Sequence, residues 1–374
     1  MKLRVPEYYE RFHCIASACP DNCCIGWEID IDEISAQRYQ QVGGAFGEQL
    51  RESIQRDGET ACFRLKGERC ALLNDQNLCE IILHLGEGAL CQICRDHPRF
   101  TETFGELRET GVGLCCPEAG RLLFSDPEPV QFCLKETPEP AIAEECDPER
   151  LQMLLSVRER LLEVIQDRTR PLTERLCLAL EMSQTAQMAL EEGDWTGLQT
   201  ALNGQTAPVV PPSAEAGRQV EQWLAALTDL EPISPAWTAA VERTRKLLAE
   251  PEDRLRKVWR KFCQVVDGRI YEYEHLVVYV LFRYFLKAVY TGDCLTPVQL
   301  AAVDCLLVGA LDLTRFAEQT AFTLADQIEL AGLYSKQMEY SEENLAALEE
   351  RLIFDERFSC RKIEEILSAV GKGD

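Results

Sequence analysis

The chain has 374 residues, of which 46% are hydrophobic and 27% are charged, and its net charge is −24. This composition is typical of a folded globular protein with room for two domains, and it excludes a disordered chain. The negative charge argues against a protein that binds nucleic acid, because affinity for phosphates depends on clustered Lys and Arg. An acidic surface weakly favours a cationic or lysine-bearing partner, although it is also typical of an ordinary solvated surface.

Two segments bear on export and membrane insertion. The N-terminal MKLRVPEYYERF has no apolar run after its basic residues and does not resemble a signal peptide. Residues 276–290 are apolar, but Arg283 and Lys287 interrupt them, and they are shorter than the roughly 20 residues of a membrane-spanning helix. We therefore expect a buried helix there, no membrane partner, and a cytoplasmic protein whose thiols stay reduced.

The first 140 residues predict short elements. Apolar residues four apart predict a helix over residues 44–56, and alternating apolar residues predict a strand over 61–65. Turn-forming residues between apolar runs predict hairpins over 70–81 and 99–114. Pro117 is expected to open a short helix, since proline is tolerated in a first helical turn.

Helical periodicity dominates after a linker rich in Pro and Glu. Leu and Ile recur at helical spacing from Leu151 to Ile165, but Arg158 interrupts the stripe, so we expect this face not to be buried along its whole length. The predicted fold class is mainly α. A small Cys-rich α+β metal-binding domain occupies residues 1–140, and an all-α helical bundle occupies residues 141–374.

Cysteines carry the strongest chemical signal, because eleven of the eighteen lie between Cys14 and Cys116. A disulfide scaffold does not suit a long protein that is not secreted, whereas thiolates are soft ligands for zinc or iron–sulfur clusters. The grouped spacing, which includes one C-x-x-C, predicts metal binding. The predicted ligands are Cys14, Cys19, Cys23, Cys24, Cys70, Cys79, Cys91, Cys94 and Cys116.

The residues leave the metal open. Structural zinc usually shows two paired knuckles, whereas this chain has one C-x-x-C and two pairs of adjacent cysteines, Cys23-Cys24 and Cys115-Cys116. Adjacent cysteines rarely bind one ion together, so some of these thiols are expected to lie outside the metal's own ligand set. His13 and His97 are candidate imidazole ligands, although a lone histidine beside a metal is more often a hydrogen-bonding neighbour.

The order of these blocks resembles a known family. The motifs VPEYY, C-x4-C-x3-CC-x-GW, C-x-x-C-x-x-x-PRF-x-x-x-FG and CPEAGRLL are similar to those of the flagellin lysine-N-methylase (FliB) family over residues 1–125. A looser likeness continues into YEYEHLVVYVLFRYFLKAVY, and a smaller cysteine core is similar to a broader family of proposed zinc- or iron-chelating proteins. The resemblance implies a [4Fe–4S] cluster, S-adenosylmethionine as methyl donor, and surface lysines of flagellin as acceptors.

Two familiar signatures are absent, which leaves the donor site and the catalytic base unassigned. The sequence has no G-x-G-x-x-G after a strand, and Gly26 stands where C-x3-C-x2-C would need its third cysteine. Candidate polar residues near the cysteines or in the apolar helix are Glu7, Tyr8, Tyr9, Glu28, Arg95, Arg99, Arg283 and Tyr284. The predicted function is a protein lysine N-methyltransferase; the alternatives are a non-catalytic zinc-stabilised adaptor and a metal-binding or redox-sensing protein.

Overall fold

The structure is a computed structural model that describes residues 1–26, 29–58, 60–138, 146–208 and 215–371. Its strands are β1 (Lys2–Pro6), β2 (Ile29–Ile31), β3 (Ile54–Asp57), β4 (Thr60–Phe63), β5 (Leu65–Lys66), β6 (Arg69–Cys70), β7 (Arg99–Phe104), β8 (Leu107–Val112) and β9 (Phe132–Glu136). Its first helices are α1 (Glu33–Gln40), α2 (Gly44–Glu52), α3 (Glu80–Leu85), α4 (Gln92–Asp96) and α5 (Pro117–Phe124). The prediction of a mainly helical protein with a small sheet region near the N-terminus is confirmed.

Helices make up the second half of the described chain. They are α6 (Pro148–Ile165), α7 (Leu172–Glu192), α8 (Leu198–Gly204), α9 (Ala216–Leu227), α10 (Pro235–Leu248), α11 (Glu252–Val266), α12 (Ile270–Tyr284), α13 (Ala288–Thr291), α14 (Thr296–Gln319), α15 (Leu324–Glu339), α16 (Glu342–Phe354) and α17 (Cys360–Gly371). Side-chain caps begin several of them; the Asp147 carboxylate, for example, accepts from the amides of Glu149 and Arg150 at the start of α6.

Two sheets organise the N-terminal part. The larger sheet has the strand order β7-β8-β1-β9, with β1 parallel to β8 and antiparallel to β9. The smaller sheet has the order β2-β4-β3, with all pairs antiparallel. Because β2 to β4 lie between β1 and β7 in the chain, the smaller sheet belongs to a segment inserted into the larger one.

The buried apolar residues form two separate cores. One lies between Ile29 and Cys91 and is centred on Tyr39 and Leu50; we call this segment the small lobe. The other, larger core joins Tyr8, Phe12 and the second hairpin to the helices that follow α5, and we call it the helical body. The predicted domain boundary near residue 140 stays a prediction about how the chain divides.

Helix α12 lies at the centre of the helical body, packed against α5, α6 and α14. Its residues from Glu272 to Phe282 are all buried; the carboxylates of Glu272 and Glu274 form ion pairs with arginines, and the stretch after His275 is mainly apolar. The predicted buried helix over residues 276–290 is thus confirmed through Tyr284, after which a turn of 3-10 helix leads into α13. Within the described residues, no helix combines the length and apolar character that crossing a membrane requires.

Local predictions for the N-terminal part hold in some places and fail in others. The hairpin over residues 99–114 and the helix opened by Pro117 are confirmed. The helix predicted over residues 44–56 ends earlier, at Glu52, because β3 takes the following residues to pair with β4. The hairpin predicted over residues 70–81 keeps only a single bridge at its turn, and its second arm is mostly helix α3.

As expected, the apolar face of α6 is not buried along its whole length, since Leu151 and Leu155 are half-buried, but Arg158 is not the cause. Arg158 is only 1% exposed, and its guanidinium donates to both carboxylate oxygens of Glu109, itself 2% exposed, at 2.5 and 2.7 Å. A further bond of 3.3 Å reaches the Phe282 carbonyl. The charge is buried because β8 supplies a bidentate partner from 49 residues away, which a helical pattern alone does not reveal.

Candidate functional site

Five cysteines lie in the core of the small lobe or pack against it, and we call them the inner thiol group: Cys24, Cys70, Cys79, Cys91 and Cys94. Cys79 and Cys91 immediately precede α3 and α4, and Cys94 lies within α4. The Cys70 amide donates to the Cys24 carbonyl at 2.9 Å and joins β6 to the loop before β2. Paired strands and short helices thus bring together thiols from four parts of the sequence.

The inner thiols influence one another's protonation. A hydrogen bond with Cys91 and burial raise the pKa of Cys94, and the charges of Cys24 and Cys79 raise it further. Burial raises the pKa of Cys70 to about 11, with added effects from Cys79 and Cys91. These couplings require the sulfurs to lie near each other. They raise the pKa of Cys70, Cys79 and Cys94, whereas the hydrogen bond with Cys94 lowers the pKa of Cys91.

Four further cysteines form the outer thiol group: Cys14, Cys19, Cys23 and Cys116. Burial raises the pKa of Cys116 to about 11, and the charges of Cys19 and Cys23 add to the shift. Cys23 differs, because a hydrogen bond with Cys24 and the positive charge of Lys336 help to lower its pKa to about 7. The hydrogen bond between Cys23 and Cys24 shows that the outer thiol group lies next to the inner thiol group.

The thiol groups suit a soft metal by donor chemistry but are not arranged as a finished site. Zinc and iron–sulfur clusters take about four thiolates, and the two groups supply five and four cysteines. Within the described ranges, however, no three His, Cys, Asp or Glu side chains are close enough to hold one metal ion. Instead, the thiols of Cys23 and Cys24 form a hydrogen bond with each other, and so do those of Cys91 and Cys94. The nine predicted ligands therefore lie in two neighbouring groups, and their role as ligands stays a prediction.

The C-terminal end of α15 joins the helical body to the thiols. Lys336 forms an ion pair with Asp21 in the loop that carries the outer thiol group. The next contact is made by Tyr340, whose hydroxyl forms a hydrogen bond with Cys115 and lies 3.5 Å from Nε2 of His97. Burial lowers the pKa of His97 to about 4, so its imidazole is neutral. This junction connects residues more than 200 positions apart.

Glu339, one residue before Tyr340, is the centre of a buried polar network. Its carboxylate accepts from Nη1 of Arg283 at 2.8 Å, from the Tyr279 hydroxyl at 2.9 and 3.0 Å, and from the Ser335 hydroxyl at 2.5 Å. The Arg283 guanidinium also lies 4.5 Å from the centre of the Phe100 ring. An anion with these donors is strongly stabilised, and the network fixes α12 against α15 and the second hairpin.

A small cavity of about 10 Å³ opens beside Glu339, with room for roughly one water molecule. Its lining includes Asp304 on α14, whose carboxylate accepts a 2.5 Å hydrogen bond from the Tyr334 hydroxyl. Burial raises the pKa of Asp304 to about 8, and the nearby charge of Glu339 adds to this shift. The cavity therefore lies between the Glu339 network and a carboxyl whose pKa is raised towards neutral pH.

The other sequence-predicted residues are scattered around this site. Arg283 and Tyr284 belong to the Glu339 network, since the Tyr284 hydroxyl lies 3.4 Å from the carboxylate. Burial raises the pKa of Tyr8, which lies in the core of the helical body, so its phenol is not an available base. Glu28 lies outside the described residues. The remaining candidates lie at or near the surface, where Glu7 and His13 are exposed and Tyr9 is half-buried. Arg95 donates a hydrogen bond to Gln92, and Arg99 lies over the Phe12 ring.

Sequence reasoning missed most of the junction. Asp21, Lys336, Glu339, Tyr340 and Asp304 did not stand out, because their partners are far away in the chain. A signal was nevertheless present in the segment YSKQMEY at residues 334–340, where polar and aromatic side chains are concentrated at the end of a helix. Its polar residues point to three different elements, and only the fold shows that these elements converge.

Comparison with known proteins gives matches to one kind of protein. Residues 158–364 match the family model described as the FliB lysine N-methylase C-terminal domain. A lysine-N-methylase of Salmonella typhimurium is 28% identical over 131 residues, which cover 33% of this chain and 32% of that protein. The flagellar biosynthetic protein FliU of Salmonella muenchen is also 28% identical over 131 residues, which cover 77% of its length. No solved structure matches.

Proposed function

The chain belongs to the FliB lysine N-methylase family, since the family model covers more than half of it, and on this premise we propose that it is a protein lysine N-methyltransferase acting on flagellin. The family match carries the proposal, and the names of the Salmonella relatives, a lysine-N-methylase and a flagellar biosynthetic protein, support it. The net charge of −24 is consistent with a substrate that presents lysines.

We propose S-adenosylmethionine as the methyl donor and a [4Fe–4S] cluster, or alternatively zinc, as the group bound by the cysteines. The cluster's ligands would come from the inner or the outer thiol group, and when bound it would supply a soft metal centre. Loading requires loss of the thiol protons, so binding of the metal and the pKa of the cysteines are linked. The ion pair of Lys336 with Asp21 places a cation next to the outer thiol group, where it stabilises thiolate charge.

Methyl transfer needs a neutral acceptor amine, whereas a free lysine has a pKa of about 10.4. The transfer breaks the sulfonium C–S bond, forms the N–C bond and leaves a proton to be removed from the nitrogen. The oxygens of Glu339 are already occupied by hydrogen bonds from Arg283, Tyr279 and Ser335, so they are not free to contact an incoming amine. Asp304 is better matched, with a pKa of about 8, and the cavity between them has room for a water that could carry the proton.

The proposal is tested with protein purified without oxygen, flagellin from Salmonella typhimurium, and S-adenosylmethionine with a labelled methyl group. We expect label on flagellin lysines, located by mass spectrometry, and none on flagellin whose lysines have been acetylated. An Asp304→Asn variant should lower kcat and leave the KM for flagellin nearly unchanged. Protein that is folded and loaded with metal yet transfers no methyl group to flagellin would contradict the proposal.

A structural role for the cysteines is the second candidate, and the separate core of the small lobe favours it. A zinc ion held by the inner thiol group would then stabilise the lobe, and the helical body would bind a partner without catalysis. Iron, sulfide and zinc analysis with a visible spectrum separates the two candidates. A brown protein with similar amounts of iron and sulfide favours the methyltransferase, whereas colourless protein with stoichiometric zinc and no transfer favours the adaptor. Reversible thiol oxidation with loss of metal would favour a redox sensor.

A further inference from the structure

Helix α11 carries a positive charge that is unusual for this chain. Between Glu252 and Val266 it has five basic residues and two acidic ones, a formal charge of +3 in a chain with a net charge of −24. Its basic residues are Arg254, Arg256, Lys257, Arg260 and Lys261, and all of them are exposed. The surface of α11 therefore has the opposite charge to the chain as a whole, which favours contact with an anionic partner.

Packing of α11 fixes which side of the helix is available. Phe262 and Val266 are buried, and Trp259 packs against the core of the helical body together with Leu255 and Val258. Phe262 contacts the rings of Phe316 and Phe322 at centroid distances of 5.6 and 5.4 Å. Most of the apolar side of α11 is thus packed inside the protein, with only Val265 exposed (41%), and its basic residues face solvent.

Three of these basic residues form a compact surface, which we call the α11 basic face: Lys257, Arg260 and Lys261. Their spacing of three and four positions places them next to each other on the helix. Arg254 and Arg256 pair with Glu250 and Glu252, whereas no residue in the described parts of the chain forms an ion pair with any member of the α11 basic face. The face therefore presents three charges that are available to a partner.

The structure discriminates between classes of anionic partner. A membrane-binding helix inserts its apolar side into the lipid, but here that side is buried in the core. Binding of single-stranded nucleic acid uses exposed aromatic rings for stacking, whereas Trp259 and Phe262 are turned inward. The net negative charge also opposes a long polyanion, since screening limits a local patch to roughly 8–10 Å. An acidic segment of a protein is short enough to contact the face alone.

We propose that the α11 basic face binds an acidic segment of the protein substrate and so orients it for methylation. This inference rests on the proposed methyltransferase function and adds a second, oppositely charged contact to it. A protein substrate with lysines in one region and carboxylates in another would be attracted by the acidic surface and by α11 at the same time. The two contacts together select an orientation, which a single charge cannot do.

The test compares intact flagellin with a short lysine peptide as substrates of the wild type and of the variant Lys257→Glu/Arg260→Glu/Lys261→Glu. We expect the KM for flagellin to rise about 10-fold at low salt, as three exposed charge contacts become repulsive, with kcat unchanged. The KM for the peptide should not change, because the peptide is too short to reach α11. Raising the salt concentration should reduce the difference between wild type and variant.

A matched control reverses three exposed arginines elsewhere, in Arg170→Glu/Arg218→Glu/Arg361→Glu. Equal effects of the two triple variants on flagellin would overturn the proposal, because they would show a response to net charge alone. An unchanged KM for flagellin in the α11 variant would also overturn it. So would binding of anionic vesicles or of single-stranded DNA by the wild type, if the α11 variant loses that binding. If the wild type methylates neither substrate, the proposed function fails instead; binding of poly-glutamate by the wild type and its loss in the variant would still support the α11 site.

Discussion

The buried ion pair between β8 and α6 gives the sharpest prediction about stability. Replacing Glu109 by Gln leaves the guanidinium of Arg158 buried without a counter-ion, whereas Arg4, 3.8 Å from the same carboxylate, keeps its ion pair with Glu159 at 3.4 Å. Breaking a buried pair from one side costs about 3–5 kcal/mol. We expect Glu109→Gln to cost about 4 kcal/mol, because the fully buried guanidinium of Arg158 loses its counter-ion, and Arg158→Met to cost about 3 kcal/mol, because Arg4 remains 3.8 Å from the carboxylate.

Urea unfolding followed by circular dichroism measures these changes as a double-mutant cycle. Removing both partners together should cost less than the sum of the single changes, with a coupling of about 2 kcal/mol or more. The matched control is Arg160→Met, two positions along the same helix, whose pair with Glu163 is exposed and worth less than about 1 kcal/mol. A loss below about 1 kcal/mol for Glu109→Gln would refute this reasoning, as would equal losses for Arg158→Met and Arg160→Met.

Three other predictions follow from the described geometry. Burial raises the pKa of Asp304 from 3.8 to about 8, so its contribution to stability is lost as pH rises between these values, and Asp304→Asn should flatten the dependence of Tm on pH in that window. Cys116→Ser should lower the bound metal measured by elemental analysis, whereas Cys115→Ser should retain it, because Cys115 instead bonds Tyr340. Gly47→Ala should cost about 2 kcal/mol in urea unfolding, because the added methyl would overlap the neighbouring backbone carbonyl.

Each of these predictions has an outcome that would contradict it. If the wild-type Tm instead rises between pH 4 and 8, and Asp304→Asn removes that rise, folding lowers the pKa of Asp304 rather than raising it. Equal metal loss in both cysteine variants would place Cys115 among the ligands. A Gly43→Ala variant is the control for Gly47→Ala, since a methyl group at Gly43 meets no atom within 4 Å, and equal losses for the two would remove the steric explanation.

Periodic patterns predicted the elements whose structure depends on local sequence. The second hairpin, the helix at Pro117 and the buried helix α12 follow from alternation, proline chemistry and a continuous apolar run. Predictions failed where a distant element decides the outcome. Arg158 looked like an exposed interruption because its partner Glu109 lies on a strand, and the helix over residues 44–56 was cut short because β4 pairs with its last residues.

In the candidate site, the cysteines were recognisable from the sequence, whereas the polar residues of α15 and their partner on α14 were not. Cysteine spacing identified nine residues that the fold gathers into two neighbouring groups, because sulfur chemistry is visible in the residue type itself. Asp304, Lys336 and Glu339 were not predicted, since Asp and Glu are common in this acidic chain and Lys is ordinary on its surface. Their distinction is burial and contact with Tyr334, Asp21 and Arg283, and these arise only when α12, α14 and α15 pack together.

The small lobe is an insertion between β1 and β7, two strands of the larger sheet. Within the larger sheet, β1 forms its hydrogen bonds with β8 and β9, so the pairing of these strands does not require the lobe to be folded. A chain in which the lobe is frayed can therefore keep its helical body, and its assembly can occur in two steps. The ion pair between Lys336 and Asp21 then ties α15 to the loop that leads into the lobe, whereas the hydrogen bonds of Glu339 join α12 to α15 and do not depend on whether the lobe is folded.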